Sequence, residues 1–85
     1  MNEIEIQNSE QKIEELTLLL ISLTSWKETI TGIDVTRAWK NYDFDILNAL
    51  TEKGYISESK RSKLVILTDE GLKKANELIK KYLKQ

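Results

Sequence analysis

Three bases fall within four residues at Lys60-Arg61-Ser62-Lys63, and Arg37 and Lys40 add two more upstream. Such side chains neutralise phosphates, and Asn48 is of a type that can hydrogen-bond a base edge. Together they are the set in this chain best suited to a nucleic-acid partner, although a turn bearing Lys and Ser is equally what a solvated hairpin needs. Opposed to them in sign are Asp43, Asp45 and Glu52. Paired carboxylates can do acid–base work, but residues two apart on a helix point to different sides. The chain has no His and no Cys, which removes imidazole bases, thiolate nucleophiles and the commonest metal ligands. Gly32, Gly54 and Gly71 are isolated, so no glycine-rich loop cradles a phosphate. The expectation is a protein that is not an enzyme, with no cofactor and no metal.

The 85 residues, 40% apolar and 32% charged, allow one small domain. A chain of this size buries only about 60–65% of the surface its unfolded form exposes. No apolar run approaches a membrane span and no signal-peptide pattern opens the sequence, so a cytoplasmic protein is expected. The net charge of −1 hides a gradient. Residues 1–28 hold six acids against two lysines, whereas residues 60–85 hold eight bases against three acids. Attraction to phosphate must therefore come from the last third of the chain.

The elements that would position these groups follow from periodicity and breakers. Residues 1–7 read as a loose N-terminal tail and 8–85 as one domain. A first helix, capped at Asn8 or Ser9, runs to about Ser25, with Ile13, Leu16, Leu20 and Leu23 as its core stripe. Leu18, Leu19 and Ile21 then make its second half apolar on nearly all sides. That points to a central helix that is also half of a homodimer contact, with Trp26, Leu64 and Ile66 as further interface candidates. Asp34 is read as the cap of a short second helix over 35–40. Asn41 is read as the cap of a third helix that carries Phe44, Leu47 and Leu50 inward and stops at Gly54. The aromatics Trp39, Tyr42 and Phe44 are expected mainly in the core. Residues 55–59 and 63–67 form a hairpin with Ile56, Val65 and Leu67 inward and Leu64 and Ile66 outward. A short strand near 29–33 can join that hairpin. Thr68 caps a last helix with Leu72, Ala75, Leu78, Ile79, Tyr82 and Leu83 on its apolar face.

This order is that of a mainly α, winged helix-turn-helix domain with a two- or three-stranded β wing. The phrase Leu47-x-x-Leu50-x-x-x-Gly54-Tyr55-Ile56, followed by Val65-x-Leu67-Thr68-Asp69-Glu70-Gly71, resembles the second half of MarR-like and PadR-like regulators. The stretch Trp39-Lys40-Asn41-Tyr42-Asp43-Phe44-Asp45 resembles a small uncharacterised bacterial family of stand-alone winged-helix-like domains, which carries no assigned activity. The regulator likeness implies duplex DNA binding as a homodimer, through the third helix and the wing tip. Lys60, Arg61, Lys63, Arg37, Lys40 and Asn48 are then the contact candidates. The acidity of the third helix supports a different expectation, a winged-helix protein-interaction or dimerisation module that binds no DNA.

Overall fold

The structure, a computed structural model, describes residues 9–59 and 61–83. The tail 1–7 and Lys60 lie outside the described residues. The order is α1 (Ser9–Leu23), β1 (Trp26–Ile30), β2 (Ile33–Trp39), α2 (Phe44–Glu52), β3 (Ile56–Glu58), β4 (Leu64–Leu67) and α3 (Asp69–Leu78), which continues as a π-helical turn over Ile79–Leu83. These elements make a small α+β domain of three α-helices and a four-stranded antiparallel sheet, ordered β1-β2-β4-β3.

The largest departure from expectation lies between residues 26 and 40. The helix read over 35–40 is the strand β2, paired with β1 from Trp26↔Arg37 to Ile30↔Ile33 and with β4 from Thr36↔Leu67 to Trp39↔Leu64. The segment is dense in β-branched residues (Thr29, Ile30, Thr31, Ile33, Val35, Thr36), which fit a pleated surface better than a helix. Its turn is the two-residue loop Thr31-Gly32, both at positive φ (50° and 82°), a combination that matches the twist of a tight hairpin. Asp34, expected to cap a helix, instead accepts a hydrogen bond from the Thr29 hydroxyl across the hairpin. Among the described residues no helix lies between α1 and α2, so the expected pair of consecutive short helices is absent.

The second half follows expectation closely. Asp43, not Asn41, caps α2, its carboxylate accepting from the amides of Asp45 and Ile46. The helix ends with Gly54 at φ 81° while the Tyr55 amide reaches back to the Leu50 carbonyl. Ile56, Val65 and Leu67 are buried, and Leu64 and Ile66 face the other side of the sheet.

Thr68 joins these pieces. Its hydroxyl accepts from the Gly71 amide at the start of α3 and lies 2.6 Å from the Gly54 carbonyl oxygen, while its own amide donates to the Tyr55 carbonyl. The α3 start is thus pressed onto the turn after α2, and a Cβ at residue 71 would collide with the Tyr55 backbone.

The core forms where Leu18, Leu19 and Ile21 of α1 meet Leu47 and Leu50 of α2, Leu78 of α3 and the inward strand residues Ala38, Ile56, Val65 and Leu67. This inverts the expected use of α1. Leu18, Leu19 and Ile21, assigned above to a dimer contact, are core residues. The expected core stripe of Ile13, Leu16, Leu20 and Leu23 is 47–56% exposed. Of the three clustered aromatics only Tyr42 packs on the core, and Trp39 and Phe44 are exposed.

Two substitutions test these local constraints by thermal or denaturant unfolding. Gly71→Ala should cost about 1–3 kcal/mol through overpacking against a backbone that cannot give way. Thr31→Asn should raise stability by several tenths of a kcal/mol or more, because a β-branched residue is poorly suited to positive φ and Asn is not.

Candidate interaction surfaces

Paired residues on neighbouring strands share a face, so the register fixes what each side of the sheet presents. One side carries Ala38, Val65, Leu67 and Ile56 into the helices. The other side carries Trp26 and Ile30 from β1, Ile33, Val35, Arg37 and Trp39 from β2, and Leu64 and Ile66 from β4. No described element covers it, and Ile30, Ile33, Trp39 and Ile66 are exposed. Trp26 and Trp39 meet there as tilted rings with centroids 5.8 Å apart. Thus Trp26, Leu64 and Ile66, expected as interface residues, do come together on one surface, whereas Leu18, Leu19 and Ile21 do not join them. Trp39, Ile30 and Ile33 belong to the same surface and were missed. The alternation along 26–39 around a two-residue turn ending in Gly was the signal that could have found them.

The residues proposed for duplex contact are divided. Arg37 lies on the open sheet face with its Nε 3.1 Å from Glu28. Lys40 is held 2.9 Å from Glu58 and donates to the Ser59 carbonyl. Asn48 is exposed on α2, in the layer that covers the opposite face of the sheet. Arg61 and Lys63 are exposed, and neither has an ion-pair partner among the described residues. Five candidates therefore form no single cationic surface.

A polar cluster fastens the two ends of the chain. Glu15, buried on α1, accepts from the Tyr82 hydroxyl at 2.6 Å and from Lys81 Nζ at 2.9 Å. Those two bonds hold its carboxyl below the ordinary carboxylate range against the opposing effect of burial. The same contacts raise the Lys81 and Tyr82 values. Nearby, Glu14 pairs with Lys53 and raises the latter's value, tying α1 to the end of α2. A small cavity of about 160 Å³ lies beside these pairs, floored by Leu18, Leu50 and Leu78. Opposite charges are already matched at its mouth, so the cluster reads as a clasp between elements. Among the described residues no group of three or more acidic side chains is arranged to hold a metal ion, and no helix is long and apolar enough to cross a membrane.

These features define a small α+β domain with one sheet face covered by helices, one uncovered, and an apolar stripe left on α1. The chain belongs to the family described as a domain of unknown function (DUF6429), whose model matches residues 9–85. It is similar to the uncharacterized protein y4hR of Sinorhizobium fredii (strain NBRC 101917 / NGR234), at 36% identity over 73 residues, 85% of this chain and 89% of that protein. No solved structure matches it.

The clasp gives a pH signature. Because the Glu15 value is depressed in the folded state, its contribution is present above the ordinary carboxylate pKa and is lost as pH falls through the folded value. Tyr82→Phe should reduce the unfolding free energy by about 1–2 kcal/mol at neutral pH. The difference should shrink as pH falls through the folded value and Glu15 takes up its proton. Denaturant unfolding across an acid pH series checks this, and a difference unchanged down to acid unfolding would remove the charged carboxylate from the account.

Proposed function

We propose that the chain is a self-associating protein-interaction module, a homodimer joined through the outer stripe of α1, that does not read a duplex groove. The carrying observation is the placement of Ile13, Leu16, Leu20 and Leu23. They recur at i, i+3, i+7 and i+10, the a/d spacing of paired helices, on the side of α1 opposite Leu18 and Ile21. The spacing of three, four, three reads the same in both directions. An antiparallel two-fold pair therefore sets Ile13 against Leu23 and Leu16 against Leu20 of the second copy, and aligns the helix dipoles head to tail. Four half-exposed aliphatic side chains gain a few kcal/mol on burial, so the contact sits at the small end of specific interfaces and dissociates on dilution.

The α2-β3-β4-α3 order is similar to the one expected from the regulator likeness, and this supports a second reading, duplex contact by the β3–β4 turn. Arg61 and Lys63, cations without ion-pair partners among the described residues, favour it. Asp43, Asp45 and Glu52 on α2 oppose it, since each carboxylate close to a phosphate costs about 1 kcal/mol even in water.

Sedimentation velocity over a wide concentration range tests the dimer, with Leu20→Glu expected to give a folded monomer. As the sequence has no cysteine, Ile13→Cys and Leu23→Cys proteins can be oxidised separately and mixed. The antiparallel arrangement gives cross-linked dimer in the mixture, a parallel one gives it in the separate samples. A monomer at high concentration defeats the proposal.

A further inference from the structure

We infer that the open sheet face at its β2–β4 end binds a segment of single-stranded nucleic acid, with a base stacked on Trp39 and the strand's phosphates met by Arg61 and Lys63. Trp39 is 55% exposed, braced from one side by the tilted Trp26 ring. Its strand partner is Leu64, and the next amide, that of Lys40, donates to the Lys63 carbonyl at 2.9 Å. The β3–β4 turn, whose Arg61 and Lys63 have no ion-pair partner among the described residues, therefore adjoins the Trp39 end of the sheet. Beside them is a shallow depression of about 250 Å³, floored by Leu64 and Ile66 and lined by Arg37, by the hydroxyl-bearing Ser57, Ser59 and Ser62, and by Glu58, whose carboxylate is held by Lys40. An aromatic platform with apolar surroundings and hydroxyls beside it, and cations on the adjoining turn, suits an unpaired strand, whose bases are free to stack and whose phosphates carry the opposite charge.

One observation counts against a second copy as the occupant. Stacking two such faces would drive the Arg37–Glu28 pair of both molecules out of water, which costs more than the pair regains unless its remaining hydrogen bonds are met. A duplex is disfavoured because its bases are stacked inside and cannot reach Trp39.

The test is fluorescence anisotropy of a labelled oligothymidylate of about a dozen nucleotides, titrated with the full chain at low salt, beside a blunt duplex of equal length. The oligothymidylate should bind more tightly than the duplex. Trp39→Ala should weaken binding by about tenfold, with Trp39→Phe retaining most of it. Replacing Arg61 and Lys63 together with Ala should flatten the dependence of log K on log salt by about 1.4. Circular dichroism of each variant verifies its fold. Absence of binding, a duplex preference, or equal affinity of Trp39→Ala and the parent chain overturns the inference. A concentration-dependent shift in tryptophan emission without oligonucleotide binding overturns it in favour of a second copy. The Leu20→Glu monomer is titrated in parallel, so loss of the α1 dimer and loss of the strand site are read separately.

Discussion

Three helices can cover one face of a four-stranded sheet and little more. That limit of coverage governs the rest of this structure. The helix layer seals Ala38, Ile56, Val65 and Leu67, and no described element is laid over the other side. The cost appears as exposed Ile30, Ile33, Trp39 and Ile66 on the sheet, and as a second apolar strip on α1. Exposed apolar area of this contiguity is uncommon on a monomer that has no use for it. The surfaces are a consequence of topology, since residues 26–39 form two further strands instead of a covering helix.

How far this was legible in the sequence depends on how local the cause is. The run from Leu47 to Thr68 was readable because its constraints are carried by neighbours in sequence: a glycine past a helix end, alternating strand residues and a threonine opening the next helix, whereas the cap of that first helix, expected at Asn41, is Asp43. The purpose of Gly71 was not readable. Its reason lies in the approach of the Tyr55 carbonyl, sixteen residues away in sequence, and no propensity encodes that. The β1–β2 hairpin was misread because Thr31 occupies a position that Asn or Asp usually marks, and Asp34 looked like a helix cap when its partner was Thr29 across the turn. On α1 the periodicity gave a helix but offered two apolar stripes. Which one faces inward is decided by the polar residues beside them: Glu15 shares the buried side because Tyr82 and Lys81 meet it there.

The same pairing logic explains why the candidate site was only half legible. Charge counted along the sequence treats Arg37, Lys40, Arg61 and Lys63 alike. In the fold, Glu28 and Glu58 engage the first two, and the neutralising carboxylates come from β1 and β3, strands whose register had to be known first. What survives is a smaller positive end, confined to the β3–β4 turn and next to an indole that the sequence suggested would be buried. The proposed surfaces are thus made of residues left over after the fold has used the others.

The two leftover surfaces are better understood together than apart. A helix stripe whose spacing is palindromic consumes itself in a closed pair and adds no further valence. The sheet face contains an ion pair and an asymmetric arrangement of rings, cations and hydroxyls, which suits a partner unlike itself. A dimer built through α1 would then carry two copies of that face. A ligand long enough to touch both would be held by the second contact at the effective concentration set by the first, so that two weak sites act as one stronger one. Weakness at each site is what a face of this size predicts, because one stacked ring and two or three exposed cations supply few kcal/mol alone. On the proposed reading, pairing through α1 would be the means by which so small a domain holds such a ligand.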